Sequence, residues 1–177
     1  MFDINSQIPK YDPVAVQPMR DELTFIGFEE IKTIEETEKA LGNKNDETVF
    51  VFINSVCGCA AGSARPGISK ALQNNLIPDR LVTAFAGQDN EAVNHIRTKY
   101  LSQYPPSSPS GALIKNGEIL FMMQRSFFAG KNDEDIANLL KEVFNTNCNN
   151  KGPSIPVEKY EQLVHARKCG SKIPLNN

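Results

Sequence analysis

The amino-acid sequence predicts an α/β domain in which a central, mixed β-sheet is flanked by helices. Three observations carry this expectation. Residues 49–53 (Val-Phe-Val-Phe-Ile) form an apolar, β-branched and aromatic run without polar alternation, which reads as a central parallel strand buried on both faces. Residues 80–85 (RLVTAF) repeat that character beyond an intervening helical stretch and so give a βαβ order. Residues 115–118 (KNGE) then supply a two-residue hairpin signal between two further apolar runs, so the last strands are antiparallel.

Taken in order, residues 13–26 place Val16, Met19, Leu23 and Ile26 at helical spacing with Arg20, Asp21 and Glu22 between them, an amphipathic helix for the core. Gly27 ends it, and residues 28–32 are read as a short strand. Thr33, with Glu36 three positions on, has the form of a capping box, and its helix should run to about Leu41-Gly42. The strand at 49–53 follows, then two cysteines and a helix interrupted by Pro66. Proline removes a backbone donor, so this helix should kink or restart there, leaving residues 68–74 as its second half. Beyond strand 80–85, Asp89 is the expected cap of a helix carrying Ala92, Val93, Ile96 and Tyr100. The rigid loop YPPSSP at 104–109 feeds a strand around 112–114, the hairpin, and a strand over 119–123. A helix over 133–144, with Ile136, Leu139, Leu140 and Val143 on one face, closes the domain. This succession is that of a thioredoxin-like fold.

The chemistry concentrates at residues 54–67 (NSVCGCAAGSARPG). Cys57-Gly58-Cys59 lies where the central strand gives way to a helix. The first N–H groups of a helix are unpaired and, with the helix dipole, favour a thiolate over a thiol. Such a position lowers a cysteine pKa from about 8.5 towards roughly 3.5–7.5, which makes Cys57 the expected nucleophile, more acidic and more exposed than Cys59. Gly58 keeps a side chain out of the approach path. Cysteines two residues apart have Cα atoms no more than roughly 7 Å apart, so a Cys57–Cys59 disulfide would close a short, strained ring.

A chain of 177 residues with 40% hydrophobic content is enough for one domain with a core. The net charge of −2 and the lack of a Lys/Arg block argue against an electrostatic nucleic-acid or membrane partner. No stretch reaches membrane-span length, and the first residues lack the basic and apolar segments of a signal peptide, so a cytoplasmic protein is expected. Four unevenly spaced cysteines are too few for a disulfide scaffold and suggest redox chemistry or metal binding.

The blocks NSVCGCAAGSARPG, AFAGQD and PPSSPSGAL and the N-terminal VQPMRDELTFIGFEE resemble those of the bacilliredoxins, in the right order, over residues 11–148. The resemblance implies a thioredoxin fold and removal of bacillithiol, a low-molecular-weight thiol, from mixed disulfides on client proteins, with disulfide isomerase activity as a related capacity. It implies that Cys57 is the attacking cysteine, Cys59 the second cysteine of the motif, and Pro109, preceded by Ser108, a cis-proline facing the site. It aligns Cys148 with a cysteine near the family's C-terminus, an auxiliary thiol candidate. No bound cofactor is implied; bacillithiol or a similar thiol is the co-substrate. The chain departs from the family pattern at Gly111 and in an extension over residues 149–177.

Other readings of the same residues are weaker. A zinc site would have to draw on Cys148, Cys169, His95 and His165, none of which shows tight pair spacing. Cys59 to Arg65 has the C-x5-R spacing of oxyanion loops in phosphatases and arsenate reductases, but Pro66 removes an amide near the supposed cradle. A non-enzymatic binding module predicts no thiol–disulfide exchange at Cys57. In the extension, residues 145–156 have linker composition, and residues 157–169 form a helix with Tyr160, Leu163 and Val164 on one side that packs on the domain, packs on another chain, or stays mobile. Cys148 and Cys169 are expected at the surface, and truncation after Asn147 is expected to leave the domain folded.

Overall fold

The structure, a computed structural model, describes residues 8–173. The first helix, α1 (Pro13–Thr24), starts at Asp12, whose carboxylate accepts the Val14 N–H at 2.9 Å. Strand β1 is only Glu29–Glu30. Helix α2 (Ile34–Leu41) opens with the capping box of Thr33 and Glu36 and ends at Gly42. The central strand β2 (Thr48–Asn54) is buried along its whole length. A π-helical turn (Ala60–Ala64) then passes into α3 (Arg65–Ala71), with Pro66 in the first turn of α3, so the proline restarts the helix where the wider turn already breaks the regular bonding ladder.

Strand β3 (Leu76–Ile77) precedes β4 (Arg80–Phe85), and α4 (Asn90–His95) continues as a second π-helical turn (Ile96–Tyr100). Strands β5 (Ser110–Lys115) and β6 (Glu118–Met123) form the hairpin, with Asn116 and Gly117 both at positive φ as a tight two-residue turn requires. A 3-10 turn (Arg125–Phe128), helix α5 (Asp133–Asn147), strand β7 (Asn150–Lys151) and helix α6 (Val157–Cys169) complete the chain.

The main sheet has the order β1-β4-β2-β5-β6. β4 runs parallel to β1 and β2, while β5 is antiparallel to β2 and β6, giving the mixed sheet of a thioredoxin-like fold. Alternation along β2 divides the core. Phe50 and Phe52 join a cluster with Ile68 of α3 and Ile136, Leu140 and Phe144 of α5. Val49, Val51 and Ile53 face the opposite cluster, with Leu41 of α2 and Val93 of α4. Gly111 belongs to this packing: a Cβ there would lie 3.1 Å from the Phe50 ring and 3.2 Å from the Met123 methyl, so a side chain would crowd the Phe50 layer.

Three expectations are corrected. Asp89 precedes α4, but its side chain makes no cap bond; it accepts both terminal nitrogens of Arg20, at 2.9 and 2.7 Å, and the Phe85 N–H at 2.8 Å. A partly buried guanidinium offers a carboxylate a stronger partner than a helix end does. Cys148 is buried, not superficial, because α5 continues past residue 144 and delivers it to the lower end of β2. The segment after α5 behaves as part of the fold: β7 pairs antiparallel with β3, the Gly152 N–H reaches the Asn75 carbonyl at 2.8 Å, and the Ser154 N–H reaches the Leu72 carbonyl at 2.9 Å. Helix α6 packs on the domain through Leu163, which is fully buried, and stops at Gly170 in the left-handed conformation.

Candidate active site

The dithiol stands at the upper end of β2, and the chain there is pinned before it turns. The Asn54 side chain accepts the Ser55 N–H at 2.9 Å and donates to the Met19 carbonyl of α1 at 3.0 Å. Arg65, 2% exposed, donates from Nη1 to the Asn54 side chain at 3.2 Å and to the Ser55 carbonyl at 3.1 Å, and pairs through Nε with Glu22 at 3.2 Å. These contacts hold the residues leading into the dithiol. They also answer the oxyanion-loop reading: residues 59–65 are helical, and Arg65 is committed beneath the turn to a carboxylate and two oxygens of the chain itself.

The helix begins at the cysteines. The Cys57 carbonyl accepts the N–H groups of Ala60 at 3.0 Å and Ala61 at 3.3 Å, and the Ala60 N–H also lies 3.4 Å from Cys57 Sγ. The Cys57 N–H donates to the Ser55 hydroxyl at 3.3 Å. Both thiols are half-buried, so the expected contrast in exposure is absent; what distinguishes them is that Cys59 packs on the core cluster. Burial pushes the Cys57 thiol up, but hydrogen bonds from the Cys59 thiol, the Ser55 hydroxyl and the Ala60 and Cys59 amides outweigh it and hold Cys57 below the ordinary cysteine value. Cys59 moves the other way: burial, its bond to Cys57 and the repulsion of the Cys57 charge raise it, against a smaller opposing pull from Arg125. Of the pair, Cys57 is therefore the first to lose its proton, with Cys59 remaining a thiol beside it.

Gly58 is exposed, and a Cβ there would meet nothing within 4 Å, so open space lies over the dithiol. Ser110 of β5 pairs with Ile53, which brings Ser108 and Pro109 alongside the end of β2, and the Ser108–Pro109 peptide bond is cis. Cys148 is far from this group. It contacts Thr48, the first residue of the seven-residue β2, and so lies about 20 Å from the dithiol at the usual rise per residue. The other metal-ligand candidates are dispersed: His95 pairs with Glu38, and exposed Cys169 lies 3.8 Å from His165 of its own helix. Among the described residues no three His, Cys, Asp or Glu side chains gather as metal ligands. No helix among the described residues is long and apolar enough to cross a membrane.

Sequence reasoning missed Ser55 and Arg125 as groups that act on the dithiol. Ser55 had a local signal, since a hydroxyl two residues before a turn residue can accept its N–H. Arg125 had none, because only the β5–β6 hairpin returns it to the site.

The sequence profile of a family described as Disulphide isomerase matches residues 11–148. A bacilliredoxin of Salinibacter ruber is 41% identical over 160 residues, covering 90% of this chain and 93% of the relative. A second from the same organism is 44% identical over 144 residues, covering 81% and 84%. A bacilliredoxin of Staphylococcus aureus is 46% identical over 134 residues, covering 76% and 90%. On this similarity, carried by an α/β fold of the expected type, the chain belongs to the bacilliredoxin family of thiol–disulfide redox proteins.

Proposed function

We propose that this protein removes bacillithiol, or a similar low-molecular-weight thiol, from mixed disulfides on client proteins, with Cys57 as nucleophile and Cys59 as the second thiol. The observation that carries the reading is the opposed acidity of two adjacent cysteines at the end of the central strand. The Cys57 thiolate attacks the bacillithiol sulfur, the mixed disulfide breaks, and the client leaves as a thiolate that takes a proton from water. Cys57 then carries bacillithiol as a disulfide. Two of the three causes that raise Cys59, its bond to the Cys57 thiolate and repulsion by that charge, are removed at this stage, while the pull of Arg125 persists. Capping Cys57 thus makes Cys59 easier to ionise, which supports resolution by Cys59: its thiolate attacks Cys57 and expels bacillithiol. External bacillithiol attacking its own bound sulfur is the competing exit and leaves the protein reduced.

The cis Ser108–Pro109 segment beside the end of β2 offers an edge along which an extended client peptide can lie. No metal, nucleotide or flavin enters these steps, and four unevenly spaced cysteines, too few for a disulfide scaffold, suit a cytoplasmic setting. The test uses a protein–bacillithiol mixed disulfide as substrate and mass spectrometry as readout. Cys57→Ser should abolish release of the client thiol, whereas Cys59→Ser should retain the first attack and accumulate bacillithiol on Cys57. Adduct formation on Cys59 in the wild-type protein would reverse the roles.

A further inference from the structure

The buried guanidinium of Arg65 is divided between a carboxylate and the turn that carries the dithiol. Nε donates to Glu22 of α1 at 3.2 Å, while Nη1 donates to the Asn54 side-chain oxygen at 3.2 Å and to the Ser55 carbonyl at 3.1 Å. Ser55, held in this way, accepts the Cys57 N–H on its hydroxyl at 3.3 Å. Bonded contacts therefore run from Arg65 through Ser55 to the backbone of Cys57. Asn54 is fixed independently, since its side chain donates to the Met19 carbonyl at 3.0 Å and its own carbonyl accepts the Ala86 N–H at 3.0 Å.

Helix α6, which lies beyond the residues 11–148 matched by the family profile, grips Arg65 from the other side. Arg167 donates from Nε to the same Glu22 oxygen at 3.1 Å. Its Nη2 donates to the Ser69 hydroxyl at 2.9 Å, and that hydroxyl donates to the Arg65 carbonyl at 2.7 Å. The first route ends on the Arg65 side chain and the second on its backbone. Burial, and then the charge of Arg65, hold Arg167 below the ordinary arginine value despite Glu22, so two guanidinium groups on one half-buried carboxylate carry a desolvation cost. An apolar contact such as that of Leu163 ties α6 to the domain without this cost. What the polar contacts add is a connection to the turn before Cys57.

We infer that Arg65 is a positioning residue for the Cys57 nucleophile and that Arg167 of the C-terminal extension holds it in place, so that the seating of α6 sets the rate at which Cys57 attacks a disulfide. The inference rests on the reading of Cys57 as the nucleophile. Arginine suits the place because its rigid fork serves a carboxylate on one side and two oxygens of the turn on another, which the single ammonium of a lysine does not span. Once the Ser55 carbonyl is released, the Ser55 hydroxyl is no longer fixed at Cys57, and one of the groups that favour the thiolate is lost.

The experiment follows alkylation of the full-length protein by iodoacetamide against pH, with peptide mass spectrometry reading Cys57 apart from Cys59, Cys148 and Cys169, and circular dichroism establishing that each variant is folded. Arg65→Lys keeps a charge for Glu22 and should slow Cys57 alkylation at neutral pH about tenfold, the scale of one hydrogen bond to a charged group, with the midpoint displaced upward. Arg167→Gln leaves the Arg65–Glu22 pair in place and should slow it about threefold, and Arg167→Lys should recover part of the loss. Lys168→Gln removes the same charge from an exposed position on the same helix and should leave the rate unchanged. In the Arg65→Lys background Arg167→Gln should add nothing, because its effect passes through Arg65. A Cys57 profile that Arg65→Lys leaves in place overturns the positioning role. Full addition of the two effects, or no effect of Arg167→Gln, overturns the route through α6, and if Arg65→Lys does not fold, the comparison of Arg167→Gln with Lys168→Gln decides alone. Labelling of Cys59 before Cys57 in the parent protein overturns instead the assignment of the nucleophile on which the inference rests.

Discussion

The acidity of Cys57 depends on donors that come from its immediate neighbours. The Ala60 amide serves Cys57 twice, through the carbonyl and through Sγ, because the helix starts at the motif itself. Ser55 fixes the preceding turn by accepting the Cys57 N–H and adds to the groups that favour the thiolate. Alkylation by iodoacetamide should therefore label Cys57 first, with a rate midpoint below the ordinary thiol value of 9.0, and Cys59 only at higher pH. Ser55→Ala should move the Cys57 profile upward in pH without unfolding the protein. An unshifted profile would mean that the Ala60 amide and Cys59 suffice. At this scale Cys57, Gly58 and Cys59 were legible because their meaning lies in local spacing. Arg125 was not, since only the β5–β6 hairpin returns it to the site.

Among the elements, those whose stabilisation is local matched expectation best: the capping box of α2, the hairpin turn at Asn116-Gly117, and β2 as the central strand. The pairing of β3 with β7 was illegible, because two residues on each side leave no side-chain pattern and the bonds join backbone groups distant in sequence. The role of α6 was illegible for a related reason. Its apolar face is narrow, but Leu163 enters the core, and Arg167 shares the Glu22 carboxylate with Arg65 at 3.1 and 3.2 Å. Through Arg65 that network touches the turn beneath the dithiol, so the extension supports the site from behind. Leu163→Ala should cost about 2–5 kcal/mol in urea denaturation. Truncation after Asn147, expected from composition to leave the domain folded, should nevertheless lower the melting temperature; an unchanged midpoint would show that α6 rests on the domain without stabilising it. Between α3 and α5 the tolerance is smaller still. A Cβ on Gly67 would approach Ile136 Cβ to 2.6 Å, so Gly67→Ala should cost about 1–3 kcal/mol by forcing these helices apart.

For the molecule as a whole, the two faces of the sheet are closed by different means, and this separates the pH dependence of stability from that of chemistry. Behind Phe50 and Phe52 the outer layer is finished by the apolar contacts of α6. On the other face, α2 meets α4 and the turn after it around Glu38, which accepts from Lys99, His95 and Tyr100. Hydrogen bonds from Lys99 first, then His95, outweigh burial and hold the Glu38 carboxyl at about 2 rather than its ordinary 4.5. Because the folded value is the lower one, the stabilisation is fully present above about pH 4.5 and is lost as the pH falls towards 2. Lys70 depresses Asp133 in the same direction, so the acid limb should erode through this window. The Glu38 side chain is 36% exposed, so solvent screening limits its share. Melting temperature measured against pH should fall below about pH 4.5, and Glu38→Gln should flatten that fall. The Cys57 thiolate titrates below its ordinary value of 9.0 but is governed by contacts at the opposite-acting dithiol, and Glu38 is not among them. Exchange activity should therefore decline, as the pH is lowered from the alkaline side, while the melting temperature is still level, and Glu38→Gln should leave the activity profile in place. Parallel loss of activity and of the folded state across the same pH range would show instead that the acidity of Cys57 is set by global unfolding rather than by the turn that holds it.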